Sequence, residues 1–329
     1  MQNSNPAPET AAAQVALRFT GRAGEYFKIW LVNICLSIVT LGIYSAWAKV
    51  RRKRYFYGNT TLDDSSFDYL ASPKSILLGR FLVVAVFILY SVAERIMPMA
   101  ALLFIPALLI VMPWIVVRAL RFNARNSAHR NLRFGFGGSY GGIWLSIGFP
   151  ALFALLTLGL AFPYFLHRRD RYLIGQSSYG TARFGFQASV GAYYLASLKV
   201  FLAGLGFIAG SIVSLGILAL PLYLLVRAYA IAVMARLKWH NTLLSGIRFS
   251  CGWTTWGLFG LYVVNALAIV FSLGLLIPWT AVRTARYHLE RLSLHPASAV
   301  AGFVAAANPA PLAAIGEEAG ELLGFDFGL

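Results

Sequence analysis

Long apolar runs limit what this chain can fold into more than any other feature of its sequence. They lie at 75–92, 97–117, 143–166 and, together with its flanks, 213–226. A membrane helix needs roughly 20 apolar residues to cross the hydrocarbon core of a bilayer, and these runs approach or exceed that length. Only 12% of the residues are charged, whereas a soluble domain carries about 25%. The sequence therefore predicts an all-α, multi-pass membrane protein with about seven apolar segments.

The charged residues are mostly basic and give the chain a net charge of +16. They lie beside the apolar runs, where the positive-inside rule expects them on the cytoplasmic side. We therefore expect anionic lipid headgroups as partners of the basic face and no nucleic-acid partner. The cysteines Cys35 and Cys251 and the histidines lack the spacing of metal ligands, and no pair of nucleophile and base is visible. The sequence thus predicts no enzyme, no metal and no cofactor.

An internal repeat organises the chain. The dipeptide Arg-Phe, followed by aromatic and glycine residues, begins at Arg18, Arg133 and Arg248, so the period is about 115 residues. The spacings of polar residues recur along with the apolar pattern, which composition alone does not explain. The repeat predicts two and a half copies of one helical unit.

The repeat also sets the expected domain boundaries. A transmembrane domain is expected at 18–292, between a flexible N-terminal tail at 1–17 and a flexible acidic C-terminal tail at 293–329. The repeats within that domain are expected at 18–132, 133–247 and 248–292.

A second motif follows each Arg-Phe anchor and reads Leu-Gly, then an aromatic, two arginines and a tyrosine at fixed spacing. In the first copy, Trp47, Arg51, Arg54 and Tyr55 form one stripe on a helix. One interpretation is a basic ring that binds phosphate, either of lipid headgroups or of a nucleotide. The other is membrane anchoring, with aromatic residues in the interfacial belt and arginines reaching toward the headgroups. The candidate phosphate ligands are Arg51, Arg54, Arg118, Arg121, Arg168, Arg171, Arg283 and Arg286, and the candidate interfacial aromatics are Trp47, Tyr55, Trp114, Tyr164, Tyr172, Trp279 and Tyr287.

Short polar stretches with turn formers at their centres follow each arginine pair. They lie at 59–67, 126–134, 176–184 and 241–249. Turn-forming residues flanked by Thr, Ser, Tyr, Leu or Phe are typical of β-hairpins. We therefore expect small cytoplasmic β-hairpins between the helical segments.

The positions of the basic residues bear on topology. If every apolar run crosses the membrane once, lysines and arginines divide almost evenly between the two sides. If the runs at 26–48, 143–166 and 256–281 instead fold back, all 28 basic residues except Arg95 and Lys199 face one compartment. The positive-inside rule prefers this second arrangement, although single crossings remain an alternative. The expected intramembrane turns are at Gly42, Gly159 and Gly274, because glycine accepts positive φ angles.

Two classes of function fit these features. Internal repeats, broken helices and Lys199 within an apolar run are features of transporters, so transport or permeation of a small solute is one hypothesis. The alternative is a non-catalytic membrane scaffold or a protein that binds anionic lipid. A polar cavity near the Leu-Gly breaks favours transport, and a solid apolar interior favours the scaffold.

The first repeat resembles a known family. The residues Phe19-Thr-Gly-Arg-Ala-Gly-Glu-Tyr-Phe27, Thr40-Leu-Gly-Ile-Tyr-Ser-Ala-Trp47 and Arg54-Tyr-Phe-Tyr57 resemble the YjgN family of bacterial inner-membrane proteins of unknown function. The later motifs extend the resemblance over about residues 18 to 292. The resemblance implies a multi-pass protein of the bacterial inner membrane, and it supplies no substrate, cofactor or catalytic residue.

Overall fold

The structure is a computed structural model that describes residues 14–96, 99 and 102–295. Helices and strands alternate along this part of the chain in a regular order. The strands are β1 (Val15–Ala16), β2 (Arg18–Phe19), β3 (Thr60–Leu62), β4 (Ser65–Tyr69), β5 (Ser127–His129), β6 (Leu132–Phe136), β7 (Ser177–Tyr179), β8 (Ala182–Phe186), β9 (Thr242–Leu244), β10 (Ile247–Cys251) and β11 (Leu292–His295). The helices are α1 (Ala23–Val39), α2 (Ser45–Gly58), α3 (Pro73–Ile96), α4 (Phe104–Asn126), α5 (Tyr140–Leu156, with a π-helical turn at Trp144–Gly148), α6 (Phe162–Gly175), α7 (Val190–Val213), α8 (Ala219–His240), α9 (Thr255–Phe271) and α10 (Ile277–Leu289).

All eleven described strands belong to one antiparallel sheet. Its order is β1-β11-β10-β9-β8-β7-β6-β5-β4-β3-β2, so strands that follow one another in sequence are mostly neighbours. The two end strands, β1 and β2, are separated in the chain only by Leu17, whose amide donates to the carbonyl of Leu292 over 3.1 Å. The chain therefore joins the two ends of the sheet into a nearly closed barrel.

Two-residue turns connect the strands of each β-hairpin. Positive φ angles occur at Asp63 and Asp64 and again at Arg130 and Asn131, as tight antiparallel hairpins require. Side chains alternate across the strands, so Arg133 is exposed while Phe134 lines the barrel interior. The turn chemistry and the alternation together fix the register of these short strands.

Aromatic and aliphatic side chains fill the barrel. His129 lies among them, with its ring stacked on Phe67 at 4.5 Å between centroids. Its Nδ1 lies 3.0 Å from the hydroxyl of Tyr179, and its Nε2 lies 3.2 Å from the carbonyl oxygen of Leu62. A cavity of about 130 Å³ remains, lined only by these interior residues. The barrel is thus a packed core and not an open channel.

Five helical hairpins lie between the strands in the described part of the chain. Both ends of each helical hairpin join the sheet, so all five project from it as α1–α2, α3–α4, α5–α6, α7–α8 and α9–α10. Helix α10 packs against α1, so the helices form a closed ring above the barrel.

The prediction of an all-α fold with about seven apolar segments and separate small β-hairpins is wrong. The strands of all four predicted β-hairpin stretches join one eleven-stranded sheet. Each strand in these stretches has only three to five residues. A strand of one stretch pairs with a strand of the next, although a whole helical hairpin separates the two in sequence. That pairing has no local sequence signal. Among the described residues, three helices are long and apolar enough to cross a membrane, namely α3, α7 and α8.

Four of the helical hairpins reverse at the dipeptide Leu-Gly. At Leu41 and Gly42 the φ angles are 48° and 90°, and the Gly42 amide donates to the Ser37 carbonyl over 2.7 Å. The Thr40 hydroxyl accepts from the Tyr44 amide over 2.9 Å, within the turn that precedes α2. The same turn recurs at Leu158-Gly159, Leu215-Gly216 and Leu273-Gly274. The backbone groups of each tip are largely satisfied within the turn.

A few residues of each expected tail belong to the sheet. Strand β1 begins at Val15 and β11 ends at His295, so the sheet reaches a few residues beyond the expected domain boundaries. The remainder of both expected tails, 1–13 and 296–329, lies outside the described residues.

Candidate functional site

A large cavity lies between α1, α2, α3 and α10. Its volume is about 880 Å³, which is within the usual range for sites of small organic ligands. Four basic side chains line it, Lys49, Arg52 and Lys53 from α2 and Arg80 from α3. None of the described lining residues is an aspartate or a glutamate. We call this space the basic cavity, and its charge suits an anionic ligand.

The spacing of the basic residues on α2 explains why they converge. Lys49, Arg52 and Lys53 stand at i, i+3 and i+4, which places them on one face of the helix. Lys49 is buried, and it lies about 13 Å along the helix axis from the sheet end at Gly58. A buried ammonium group so far into an apolar helical layer is costly and commonly marks a functional site.

Polar groups at the far end of the basic cavity tie it to the first Leu-Gly turn. The Arg80 guanidinium donates to the Ser45 hydroxyl, and that hydroxyl donates to the Gly42 carbonyl. On the opposite wall, the Asn33 amide nitrogen lies 3.5 Å from the Ala48 carbonyl, while its buried Oδ1 has no hydrogen-bond partner among the described residues. The basic cavity therefore extends to the turn at the tip of the hairpin.

A second cavity of about 180 Å³ lies between the helices and the barrel. Lys53 and Tyr57 line both this cavity and the basic cavity, so the two share a wall. The Lys53 ammonium donates to Asn123 Oδ1 over 3.0 Å at this wall. Beyond it, Phe134 and Trp239 separate the second cavity from the barrel interior. The basic cavity and the second cavity are thus separated from the barrel interior by aromatic side chains.

The second arginine of most predicted pairs binds the backbone. Arg54 Nη2 lies 3.3 Å from the Ala71 carbonyl, and Arg121 Nη2 lies 2.7 Å from the Gly138 carbonyl. Arg286 Nη2 lies 2.9 Å from the Gly21 carbonyl. Each of these carbonyls belongs to the residue two positions before the first helix of the next hairpin around the ring. These three arginines therefore connect neighbouring hairpins.

The first arginine of each predicted pair has a different environment. Arg118 and Arg283 lie over the rings of Trp114 and Trp279, at 4.7 and 5.3 Å from the centroids. Arg283 also donates to Asn265 Oδ1 over 3.2 Å. Arg51 is exposed and lines none of the described cavities.

Arg168 and Arg171 line a separate polar cavity of about 300 Å³. The structure therefore does not bring the eight predicted arginines together into one ring.

The predicted interfacial tyrosines hold the bases of the helical hairpins together. Tyr55 hydroxyl donates to the Arg22 carbonyl and accepts from the Arg22 amide, both over 2.8 Å. Tyr172 hydroxyl donates to the Ser139 carbonyl over 2.8 Å. Tyr287 hydroxyl lies 3.4 Å from the Thr254 carbonyl. Each acceptor immediately precedes the first helix of the same hairpin.

The other predicted residues are dispersed. Trp47 stacks on Tyr44 with centroids 6.2 Å apart, and Tyr164 is partly buried on α6. Lys199 is exposed on α7 and lines none of the described cavities. The predicted turn glycines Gly42, Gly159 and Gly274 all lie at chain reversals, with φ angles of 89° to 90°.

The basic residues that converge on the basic cavity are not among the predicted phosphate ligands. The predicted ligands Arg51 and Arg54 belong to the run Lys-Val-Arg-Arg-Lys-Arg, whereas the neighbouring face of the same helix lines the basic cavity. The i, i+3, i+4 spacing of Lys49, Arg52 and Lys53 could have revealed that face. Arg80 lies inside the apolar run at 75–92, just as Lys199 lies inside a later one. An ionisable residue within an apolar run is a functional candidate in both cases.

Comparison with known proteins identifies the family. Residues 14–220 and 209–322 match the family described as "Bacterial protein of unknown function (DUF898)". The chain belongs to this family. The expected resemblance to YjgN proteins is also confirmed by curated relatives, which are named "Inner membrane protein YjgN". No solved structure gives a significant match.

The similarity to these relatives covers part of each protein. The relative from Salmonella typhimurium (strain LT2) is 35% identical over 129 residues, which is 39% of this chain and 33% of that protein. The relative from Escherichia coli O157:H7 is 29% identical over 147 residues, 44% of this chain and 36% of that protein. The match thus spans about a third of the relatives' length. The relatives and the long apolar helices together identify the chain as an integral membrane protein.

Proposed function

We propose that this chain is a multi-pass protein of the bacterial inner membrane that binds a small anionic solute in the basic cavity and lets it permeate. The observation that carries the proposal is the convergence of Lys49, Arg52, Lys53 and Arg80 on one cavity. Four cations raise the local concentration of an anion and offset the cost of removing it from water. Because the cavity lies in the helical layer, its ligand enters the depth of the membrane.

The helical tips support an arrangement in which the sheet faces the cytoplasm and the hairpins enter the membrane. Leu41, Leu158, Leu215 and Leu273 at the tips are at least 91% exposed. A tip that emerged into water would carry polar residues, whereas these tips are apolar and satisfy most of their backbone groups internally. Large exposed apolar side chains also cover α3 and α7, as contact with lipid requires.

Proteoliposome efflux tests the permeation. Liposomes with and without the protein are loaded with the potassium salt of chloride, phosphate or succinate, and valinomycin then allows potassium to leave only as fast as the anion does. We expect faster efflux with the protein for at least one anion, and a several-fold slower rate for Lys49→Gln. Lys74→Gln, an exposed lysine of α3, is the matched control. Equal efflux with and without the protein for all three anions would exclude permeation of these probes.

A second candidate function is binding of an anionic lipid without transport. It is favoured by Ile34, Ile38 and Ile277, which line the basic cavity beside its cations and suit an acyl chain next to a charged headgroup. In that case no probe anion leaves the liposomes, and Lys49→Gln reduces the phosphatidylglycerol that co-purifies with the protein. Unchanged phosphatidylglycerol content in this variant would count against the second candidate.

A further inference from the structure

The third helical hairpin, α5–α6, departs from the arginine pattern of the first, second and fifth hairpins. In three hairpins the second arginine donates to the carbonyl that precedes the next helix around the ring. In the third hairpin the equivalent carbonyl belongs to Ala188, and His167 Nε2 lies 2.9 Å from it. A carbonyl oxygen only accepts hydrogen bonds, so Nε2 is the donor. His167 therefore makes the contact that the arginine makes elsewhere, and no hydrogen bond of Arg171 is found among the described residues.

Arg171 instead lines the separate cavity of about 300 Å³ together with Arg168. The two arginines are three residues apart on α6, so their side chains share a face. Gln176 and Ser146 contribute further polar groups to the same cavity, and no described lining residue is acidic. We call this space the arginine pocket. It is distinct from the basic cavity, with which it shares no lining residue.

One nitrogen of Arg168 is a buried hydrogen-bond donor without an acceptor among the described residues. Arg168 Nε is buried and has no hydrogen-bond partner in the described structure. A buried N–H without an acceptor is costly, and a guanidinium carries its donors in a fixed fork that matches the oxygens of phosphate. A ligand with several anionic oxygens would satisfy this donor.

Among the described residues, the carboxylate that lies beside these arginines in sequence, Asp170, is already engaged. Asp170 Oδ1 accepts from Arg169 Nε and Nη2 over 3.0 and 2.9 Å, and its Oδ2 accepts from the Tyr193 hydroxyl over 2.8 Å. Asp170 is buried against α7 and does not line the arginine pocket. The charges of Arg168 and Arg171 thus remain available to a ligand.

The backbone opposite the arginines is unusual as well. Ser146 lies within α5, in the π-helical turn Trp144–Gly148. Such turns are rare, and they occur frequently at functional sites because they redirect side chains out of the regular helical pattern. Here the turn brings Ser146 to the wall of the arginine pocket.

We propose that the arginine pocket binds a phosphate-type oxyanion through Arg168 and Arg171, with Ser146 and Gln176 as neutral partners. The oxyanion is either the phosphate of an anionic lipid headgroup or free inorganic phosphate. The site stands at the sheet end of the hairpin, since Gly175 ends α6 and Phe186 belongs to β8. It is independent of the permeation proposed for the basic cavity.

Two binding measurements on the full-length protein test this site. Radiolabelled inorganic phosphate is measured by equilibrium dialysis with protein in a neutral detergent. Retained phosphatidylglycerol is counted by native mass spectrometry after extraction from vesicles of phosphatidylglycerol and phosphatidylcholine. We expect the double variant R168Q/R171Q to weaken phosphate binding, or to lower phosphatidylglycerol retention, by about tenfold or more. Loss in the first assay identifies free phosphate, and loss in the second alone identifies the lipid headgroup.

Control variants distinguish specific binding in the arginine pocket from nonspecific attraction to a positively charged protein. The double variant R51Q/R133Q removes two exposed arginines and the same total charge, so it should bind like the unaltered protein. R168K/R171K keeps the charge and loses the forked donors, so it should bind at least several-fold more weakly. If R168Q/R171Q does not fold, Arg171→Gln alone, at an exposed position, should still weaken binding about threefold or more. Binding in both assays that is equal among R168Q/R171Q, R51Q/R133Q and the unaltered protein would overturn the proposal, as would full binding by R168K/R171K.

Discussion

Arg286 Nη2, near the end of the last described helix, donates a hydrogen bond to the carbonyl of Gly21, just before the first helix, over 2.9 Å. This contact is the ring-closing counterpart of the bond from Arg121 to Gly138 between the second and third hairpins. It joins the last and first described hairpins above the barrel, while the first and last described strands, β1 and β11, pair within the barrel. The ring of helices and the barrel therefore close at the same place.

Removing the Arg286 side-chain donors should loosen this closure. We expect Arg286→Gln to lower the free energy of unfolding by about 1 kcal/mol, because the bond is charge-assisted but the side chain is half exposed. Thermal unfolding in detergent, followed by circular dichroism, measures the change. Arg51→Gln removes the same charge from an exposed position and should leave the melting temperature unchanged. Equal melting temperatures for the two variants would show that the contact does not stabilise the closure.

The tyrosine contacts at the hairpin bases predict a graded effect. Tyr55 makes two hydrogen bonds of 2.8 Å to Arg22, whereas the contacts of Tyr287 with Thr254 are 3.4 Å long. Tyr55→Phe should therefore destabilise the protein by about 1 kcal/mol and Tyr287→Phe by less. The same thermal unfolding assay compares them. A larger loss for Tyr287→Phe would contradict the ranking.

Much of the local structure could be predicted, whereas the global pairing could not. The Leu-Gly dipeptide and the turn-forming pairs such as Asp63-Asp64 act over a few residues, so the sequence alone locates those reversals. The fourth Leu-Gly turn, at Leu215-Gly216, carries the same dipeptide as the others, although it is not among the predicted intramembrane turns. Pairing of β4 with β5 crosses a whole helical hairpin, and no local pattern records it.

One repeated arginine motif serves two purposes, and the sequence does not distinguish them. Arg54 and Arg171 occupy equivalent places in the repeated motif, yet Arg54 binds backbone carbonyls and Arg171 lines a cavity. The difference depends on His167, which takes the carbonyl only once the hairpins are packed side by side. A periodic pattern in sequence thus located the arginines but did not determine their roles.

The proposed topology predicts which positions a membrane-impermeant maleimide can reach. Single cysteines at Asp64 and Asn131, in the turns of two β-hairpins, should label only after the inner membrane is permeabilised. Cysteines at Leu41 and Leu158, at the helical tips, should resist the reagent from both sides because they lie in lipid. Cys35 is replaced by serine beforehand, since it is exposed on α1. Labelling of Asp64 and Asn131 from opposite sides of the membrane would refute the arrangement.

The Leu-Gly turn predicts a difference between two glycines of the first hairpin. Gly42 has a φ of +90°, which a side chain adopts with strain, whereas Gly24 lies in α1 with open space around it. Gly42→Ala should therefore destabilise the protein by about 1 kcal/mol. Gly24→Ala should be neutral or stabilising because alanine favours the helix. Thermal unfolding of both variants tests this, and equal effects would argue against a strained turn.

The buried histidine of the barrel predicts loss of stability in acid. Burial lowers the pKa of His129, although the nearby Leu62 carbonyl opposes this shift. The folded barrel therefore holds the neutral ring, while the unfolded chain takes up a proton below its ordinary pKa of about 6.5. The stabilisation is complete above that pH and declines as the pH falls below it toward the lowered pKa of the folded state.

Melting temperatures measured from pH 7.5 to 5 in detergent test this dependence. We expect the unaltered protein to lose stability below about pH 6.5. His129→Phe keeps an aromatic ring against Phe67 and removes the titrating group, so its melting temperature should start lower and depend less on pH. His240→Gln, at an exposed histidine, should keep the full dependence. A His129→Phe variant with the same acid-induced decline as the unaltered protein would mean that other groups cause it, because this variant has no imidazole left to protonate inside the barrel.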